Sequence, residues 1–351
     1  MPHQEEKIYL NALNIAFKDN FLKLFPFLCH SKSFKNSWEK VSISSKENID
    51  PLKEWQKVEK QNVDFIISSE NKYPDLLKEI SYSPSSFYMK GEIPEEMPCI
   101  AIVGTRKVSM YGKLVTEKLV KELINYNFII VSGLAYGIDT IAHKTALKNK
   151  GKTIAVLGSG LNNVYPYSNK KLSEQIAKHG ALISEYPLEA PVLKHYFPWR
   201  NRIISGISLA TVVIEAPEKS GALITAKFAL EQNREVFAIP GSIFNKNSIG
   251  TNDLIKQGAK LVSKIEDILE ELNIQYTLPI IKESASLKFD SKNEEKIYRL
   301  LPKKNPFTID KIIEISNLSP KEVLAILAEL KLKAFIKNID SIRYIKTNNK
   351  K

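Results

Sequence analysis

Short apolar runs recur at regular intervals between about residues 98 and 270, and they constrain the fold more than any other feature of the sequence. The runs span residues 100–103, 128–131, 153–157, 181–184, 211–214, 235–239 and 260–262. Nearly all of them end in Gly, Ser or Glu and lead into a stretch with helical periodicity. Strands that are apolar along their whole length and alternate with helices are typical of a parallel sheet covered on both faces. The sequence therefore predicts an α/β fold, a Rossmann-like doubly wound domain with a mainly parallel sheet.

The pattern changes on either side of this region, which predicts further domains. The expected divisions are a mostly helical N-terminal domain at 1–85, the Rossmann-like domain at 86–272, a linker at 273–290 and a C-terminal domain at 291–346. Ser319-Pro320-Lys321-Glu322 has the composition of a capping box with proline at the first helical position, so a helix is expected to begin there. Residues 335–345 read as a β-hairpin. Helices followed by a hairpin resemble a winged helix.

Charge and cysteine content limit the possible partners and compartments. The formal net charge is +12 and the pI is about 9.3, which favours a polyanionic partner. A lysine-rich composition through codon bias would give the same charge. Cys29 and Cys99 match no metal-ligand spacing and argue against a secreted disulfide scaffold. The N-terminus lacks a signal peptide pattern and no apolar stretch approaches the length of a membrane helix, so we expect a cytoplasmic protein with no membrane partner.

Glycine-rich loops follow several of the expected strands. Glycines let backbone amides approach a ligand, and helix N-termini add partial positive charge, so such loops can bind phosphate groups. Turning a strand into a helix also uses glycine, which is the structural alternative. The expected phosphate-loop residues are Gly104, Thr105, Ser109, Gly133, Gly137, Gly158, Gly160, Ser220, Gly221 and Thr225.

Arginine is scarce, and three of the six arginines lie in two short loops expected at residues 104–106 and 197–202. Arginine provides bidentate recognition of phosphate and stacks on rings. The second segment also contains aromatic residues, and cations interleaved with aromatics are suited to single-stranded nucleic acid, because phosphates pair and bases stack. Arg202 alternatively begins a helix and braces the fold. The residues expected to bind DNA are Arg106, Lys107, Lys194, Phe197, Arg200, Asn201 and Arg202.

Several other chemistries find little support in the sequence. The glycine loops match neither a dinucleotide fingerprint nor a Walker A loop. Asp139 and His143 have the i, i+4 spacing of metal ligands on a helix. No third ligand is evident, however, so helix capping by Asp139 and packing of His143 are the favoured roles. Glu185 and Glu215 follow strands, but neither has an assignable catalytic partner. We therefore expect no metal and no cofactor.

The motifs, taken in order, resemble those of the DNA-processing protein A family across about residues 75–262. The matching segments are Gly104-Thr105-Arg106, Ser132-Gly133-Leu134-Ala135-Tyr136-Gly137-Ile138-Asp139, Tyr165-Pro166 with Asn169, Ser184-Glu185-Tyr186-Pro187, Phe197-Pro198, Arg200-Asn201-Arg202, Ser220-Gly221, Pro240-Gly241-Ser242 and Gly250-Thr251-Asn252. Trp199 departs from the small or charged residue expected in the family. The N-terminal region matches poorly.

This resemblance implies a dimeric Rossmann-like protein that is not an enzyme. Family members hold incoming single-stranded DNA during natural transformation and help to load the RecA recombinase onto it. In the family, residues that match Arg106, Lys194 and Phe197 contact DNA. A SAM-like or helix-hairpin-helix domain is the corresponding expectation for residues 1–85.

Two alternatives remain open from the sequence. Related Rossmann-like hydrolases cleave nucleoside monophosphates with a Pro-Gly-Gly-x-Gly-Thr loop followed by Glu. Here that loop has lost glycines, and Lys227 lies near the position where a carboxylate is needed. The second alternative is a duplex DNA reader in which the helix at 320–331 enters the major groove. That helix contains Glu322 and Glu329 and no arginine.

Overall fold

A nine-stranded sheet forms the centre of the first part of the chain in this computed structural model. The structure describes residues 2–17, 33–42, 46, 48–94, 97–274, 289–302, 306–333, 335–338 and 343–346. Two compact units are present, residues 1–279 and residues 280–351. The linker expected at 273–290 lies mostly outside the described residues, so it stays a prediction.

Helices and strands alternate along the first unit. The elements before the parallel strands are α1 (Pro2–Ala16), α2 (Phe34–Lys40), α3 (Pro51–Lys60), β1 (Asp64–Ile67), α4 (Asp75–Lys78) and β2 (Ser86–Gly91). They are followed by β3 (Cys99–Val103), α5 (Met110–Asn125), β4 (Ile129–Ser132), α6 (Ile138–Lys148), β5 (Thr153–Val156), α7 (Lys170–His179), β6 (Ala181–Ser184), α8 (Tyr196–Ile207), β7 (Ala210–Val213), α9 (Gly221–Glu231), β8 (Glu235–Ala238), α10 (Ile249–Lys256), β9 (Lys260–Leu261) and α11 (Ile265–Glu271).

The strand order is β1-β2-β6-β5-β4-β3-β7-β8-β9. All neighbours from β6 to β9 pair in parallel, which confirms the Rossmann-like fold class. After β3 the chain builds outward through β4, β5 and β6, and then returns to place β7 on the other side of β3. In open α/β sheets, ligands bind beyond the carboxyl ends of the strands at such a reversal of strand order. The loops after β3 and β7 are therefore the first place to look for a site.

Apolar side chains alternate between the two faces of the sheet, because successive residues of a strand point to opposite sides. On β3, Ala101 and Val103 pack into a cluster with residues of α8 and α9. Ile100 and Ile102 face a second cluster, which includes residues of α5, α6 and α11. Each fully buried aliphatic side chain contributes about 1.5–3 kcal/mol of hydrophobic stabilisation. Helices on both faces explain why these strands are apolar throughout.

The sheet begins before residue 86, where the Rossmann-like domain was expected to start. Strand β2 pairs antiparallel with β6, and β1 pairs antiparallel with β2. Residues 64–67 therefore extend the sheet beyond the domain boundary expected at residue 86. Helix α1 is also tied to this edge, since Tyr88 donates a hydrogen bond from its hydroxyl to Asn11 Oδ1 at 2.5 Å.

The described residues of the second unit form three helices and a small sheet. Its elements are α12 (Lys292–Leu300), β10 (Phe307–Thr308), α13 (Ile309–Ser316), α14 (Pro320–Leu332), β11 (Ile336–Asn338) and β12 (Arg343–Lys346), and its strand order is β10-β12-β11. The capping box of Ser319 and Glu322 is confirmed, as is the antiparallel pairing of the hairpin. The winged helix stays a prediction. Within the described residues, no helix has both the length and the apolarity to cross a bilayer.

Candidate nucleic-acid interface

The loop after β3, residues 104–109, is called here the arginine loop, and it lies at the point where the strand order reverses. The backbone N–H of Thr105 donates to the carbonyl oxygen of Glu215, two residues beyond the end of β7, at 2.7 Å. The Glu215 side chain is buried and accepts hydrogen bonds from the backbone N–H of Ser109 at 3.0 Å and from the Ser109 hydroxyl. These contacts hold the loop against β7. Arg106 and Lys107 at its tip are both exposed.

A glycine in the loop after β4 allows a close approach to the arginine loop. Gly137 has φ +78°, and a side-chain carbon there would lie 2.2 Å from the carbonyl oxygen of Thr105. Only glycine adopts this conformation without strain. The next residue, Ile138, donates its backbone N–H to the same oxygen at 3.2 Å. The position of Arg106 therefore depends on packing between two loops.

Phe197 lies beside Arg106, as the DNA-binding prediction requires. The Arg106 guanidinium carbon is 5.9 Å from the centre of the Phe197 ring, and the ring of Tyr165 is 5.6 Å away on a tilted plane. The Phe197 ring packs closely against the backbone after β5, because a side-chain carbon at Gly158 would lie 2.9 Å from it. Phe197 is half-buried and Tyr165 is 42% exposed. We call the patch formed by Arg106, Phe197 and Tyr165 the Phe197 surface.

Phe197 is on a helix rather than in the loop that the sequence predicted. Helix α8 already begins at Tyr196, and Pro198 follows in its first turn, where proline is tolerated because the N–H would have no helical partner. Arg202, expected near the helix start, is thus well inside the helix. Lys194 precedes α8 and is exposed.

Arg200 is buried beneath the Phe197 surface and is not available for the direct DNA contact predicted for it. Only 4% of the residue is exposed. Its guanidinium donates to the carbonyl oxygen of Gly133 at 2.9 Å and to that of Val156. Burial lowers the pKa of Arg200 to about 10, an effect opposed by the nearby Asp139 carboxylate. The group remains charged at neutral pH and joins the ends of β4 and β5.

Arg202 is also buried and forms an internal ion pair, so it is not available for the DNA contact that the sequence predicted. It is 1% exposed, and its Nη2 lies 2.5 Å from Glu185 Oε1. Its Nε donates to the carbonyl oxygen of Tyr82 at 2.9 Å, and the guanidinium carbon lies 4.3 Å from the centre of the Trp199 ring. Trp199 therefore packs on an internal cation. The arginine braces α8 against the loop after β6.

Asn201 links two helices instead of presenting its amide to a base. Its Nδ2 donates to the carbonyl oxygen of Gly221 at 3.2 Å, and its Oδ1 accepts from Arg200 Nε at 3.3 Å. The Nδ2 and Oδ1 atoms of Asn201 thus both form hydrogen bonds within the protein, which indicates a structural role.

Several hydrogen-bond donors of the expected phosphate loops are already paired with acceptors of the protein itself. The backbone N–H of Gly133 donates to Asp139 Oδ2 at 3.1 Å, and that of Gly160 donates to the carbonyl oxygen of Ala190 at 3.0 Å. Ser109 and Ser220 cap their own helices, and Thr225 is buried. A side-chain carbon would lie within 3 Å of another residue at Gly104, Gly133, Gly137, Gly158 and Gly160, whereas nothing lies within 4 Å at Gly221. Close packing of the loops explains the first five glycines.

Exposed tyrosines in the loop after β4 and in the segment between β5 and α7 were not selected as site residues from the sequence. Tyr136 is 46% exposed, and Tyr167 is 78% exposed. Lys170 lies 5.8 Å from the centre of the Tyr167 ring. The available signal was the run Tyr165-Pro166-Tyr167, in which two aromatic residues and a proline interrupt the apolar pattern before a helix.

Asp139 and His143 have structural partners, but Asp139 does not cap α6, whose N-cap is Gly137 without a side-chain hydrogen bond. Its Oδ2 instead accepts from the backbone N–H groups of Gly133 and Ala135, in the loop before the helix, at 3.1 and 3.3 Å. Burial raises the pKa of Asp139, while Arg200 and two backbone N–H groups oppose the rise. The His143 Nδ1 and Thr153 Oγ1 atoms are 2.7 Å apart. Because Thr153 donates its only proton to the carbonyl oxygen of Ile130, Nδ1 must donate to Thr153. In the described part of the chain, no three His, Cys, Asp or Glu residues are grouped to hold a metal ion.

Replacing His143 with asparagine is expected to flatten the acid side of the stability profile. Burial lowers the pKa of His143 to about 3 from its usual 6.5, so below about pH 6.5 the unfolded chain binds a proton that the folded chain does not. As the pH falls below this value, the free energy of unfolding of the wild type should decrease by up to about 1.4 kcal/mol per pH unit. Urea unfolding followed by circular dichroism at several pH values between about 6 and 4.5 measures this decrease. Equal slopes in wild type and His143→Asn would contradict the prediction.

Comparison with known proteins places these features in one family. The family model for DNA recombination-mediator protein A matches residues 64–273, a range that begins with β1. DNA processing protein DprA of Bacillus subtilis is 46% identical over 224 residues, which cover 62% of this chain and 75% of that protein. The X-ray structure of DNA processing protein A from Streptococcus pneumoniae superposes with a TM-score of 0.62 at 35% identity, over 77% of this chain and 98% of that one. A structure of DNA processing protein A from Helicobacter pylori, which concerns the single-stranded DNA binding mode of that protein, gives a TM-score of 0.54 at 30% identity, over 60% and 95% of the two chains.

Proposed function

Because the chain belongs to the DNA recombination-mediator protein A family, we propose that its first unit binds single-stranded DNA at the Phe197 surface. The observation that carries this proposal is the pairing of an exposed arginine with an aromatic ring at the reversal of strand order. Arg106 lies 5.9 Å from the centre of the Phe197 ring. The Helicobacter pylori relative, described by its single-stranded DNA binding mode, supports the choice of ligand.

The chemistry of the surface suits a strand of any sequence. Arg106 and Lys107 are exposed cations that can pair with phosphates, and Lys194 is a further exposed cation on the segment before Phe197. The faces of Phe197 and Tyr165 can stack on bases, and stacking tolerates every base because each has a π face. Buried Arg200 supports this surface from below, with its guanidinium carbon 6.0 Å from the centre of the Phe197 ring.

We further propose that the protein holds and protects incoming single-stranded DNA in natural transformation and helps to load the RecA recombinase onto it. A homodimer is part of this proposal, since two copies of one small surface bind a strand more tightly than one. Support comes from family membership and from the net charge of +12, which favours a polyanionic ligand.

The proposal requires tight, salt-dependent binding of single-stranded DNA. Titration of the full-length protein with fluorescent oligo-dT at low salt should give a dissociation constant well below micromolar. Each phosphate paired on a single strand should contribute about 0.7 to the slope of the logarithm of affinity against the logarithm of salt concentration. Binding that is micromolar or weaker at low salt would contradict the proposal.

We propose that the protein acts by binding, with no chemical step on a nucleotide. Lys227, at the position where the related hydrolases need a carboxylate, is exposed and lies 3.7 Å from Glu231. The Glu215 carboxylate accepts hydrogen bonds from Ser109, so it has a structural task. Release of free base from AMP by the purified protein would overturn this part of the proposal.

A further inference from the structure

A second pair of a cation and an aromatic ring lies on the segment between β5 and α7. Lys170, at the start of α7, is 5.8 Å from the centre of the Tyr167 ring, a distance close to that between Arg106 and Phe197. Tyr167 is 78% exposed. Among the described residues, no carboxylate forms an ion pair with Lys170, so its charge is directed to solvent.

Tyr165 connects the two pairs. Its ring contacts that of Phe197 at 5.6 Å between centres, and it is separated from Tyr167 by a single residue, Pro166. With 42% of Tyr165 exposed, aromatic surface runs from Phe197 over Tyr165 to the segment that carries Tyr167. A scattered exposed aromatic residue is ordinary, whereas Tyr167 is exposed two residues from a ring that contacts Phe197.

Hydrogen bonds fix this segment to the same loops that position Arg106. The amide Nδ2 of Asn169, a residue only 5% exposed, donates to the carbonyl oxygen of Leu134 at 2.9 Å and to Thr140 Oγ1 at 2.8 Å. Leu134 belongs to the loop after β4, in which Gly137 packs on the arginine loop. The two cation–aromatic pairs are thus held on one connected set of loops, so the second needs little ordering when a ligand binds.

We propose that Tyr167 and Lys170 form a second subsite, which Tyr165 connects to the Phe197 surface, and that it takes the nucleotides beyond those held at Arg106 and Phe197. Bases stack on the tyrosine rings and Lys170 pairs with a phosphate, which extends the path along the carboxyl edge of the sheet from the loop after β3 to the segment after β5. This subsite rests on the proposed function, because it continues the same strand. It is sequence-tolerant for the reason given for Phe197.

The test compares short and long oligo-dT on the full-length protein. A strand of about four nucleotides fills only the first subsite, whereas one of about sixteen reaches both. Tyr167→Ala and Lys170→Ala should each weaken binding of the long strand, by about tenfold for the tyrosine, and leave the short strand within about twofold of wild type. Tyr167→Phe should bind both strands as the wild type does, since stacking needs the ring and not the hydroxyl. Only Lys170→Ala should lower the salt slope.

Lys178→Ala is the matched control, because Lys178 is an exposed lysine at the far end of the same helix. It should leave both strands unaffected. An equal loss in Lys178→Ala and Lys170→Ala would overturn the subsite and indicate a general effect of charge. Unchanged long-strand affinity in Tyr167→Ala and Lys170→Ala would also overturn it. If the wild type binds no oligo-dT at either length, the proposed function itself fails, whereas loss of both strands in Arg106→Ala alone leaves that function standing without the second subsite.

Discussion

Replacing Arg106 with alanine is expected to weaken binding of oligo-dT by about tenfold to a hundredfold. A hydrogen bond from a guanidinium to a charged phosphate contributes about 1.5–3 kcal/mol, and the variant also loses the cation beside the Phe197 ring. Because one phosphate contact disappears, the salt slope should fall by about 0.7. Fluorescence titrations at several salt concentrations measure both quantities. The fold should be unaffected, since Arg106 is exposed at the tip of its loop.

Phe197→Ala separates stacking from charge at the same surface. It should weaken binding through loss of stacking, about 1–3 kcal/mol per base, with the salt slope unchanged because no cation is removed. Arg106→Lys is the complementary variant. It should recover most of the salt slope but only part of the affinity, since lysine lacks the planar fork. If neither Arg106→Ala nor Phe197→Ala loses affinity, the strand binds elsewhere.

The sheet could be predicted because its central strands carry their own signal. Burial on both faces requires apolar residues at consecutive positions, as in Ile100–Val103, and that requirement is visible within a single run. Of the two antiparallel strands, β1 was assigned to the helical domain at 1–85, and β2, at the start of the expected Rossmann-like domain, was not among the predicted strands. Strand β1 pairs with β2, and β2 pairs with β6. Pairing between residues so far apart in the chain cannot be predicted from the local sequence pattern around Pro74.

The exposure of Arg106 could be predicted, because a charged side chain in the loop after a buried strand is solvated only outside the core. The same reasoning failed for the arginines of α8. Their burial depends on partners far along the chain, the carbonyl oxygens of Gly133 and Val156 for Arg200 and the carboxylate of Glu185 for Arg202. Proximity in sequence to Phe197 suggested a shared task, whereas the helix turns the guanidinium groups toward the interior.

Arg202→Ala is therefore expected to reduce stability by about 3–5 kcal/mol, the usual effect of removing one partner of a buried ion pair. Glu185 Oε2 already lacks a partner in its buried position, and the substitution would also leave Oε1 without its arginine. The carbonyl oxygen of Tyr82 and the Trp199 ring would lose contacts as well. Urea unfolding followed by circular dichroism measures the change. Lys260→Ala, which breaks an exposed ion pair with Glu271 in the same unit, should reduce stability far less, because solvent screens an exposed pair.

Arg202→Ala should nevertheless bind oligo-dT nearly as tightly as the wild type under conditions where it remains folded. The guanidinium is 1% exposed and can reach a phosphate only if its ion pair opens, which would cost most of the energy that the pair provides. The two substitutions should therefore affect different properties. Arg106→Ala should lower the affinity for DNA, and Arg202→Ala should lower the stability of the fold. A drop in affinity and in salt slope for Arg202→Ala, at unchanged stability, would mean that α8 exposes this side chain to DNA.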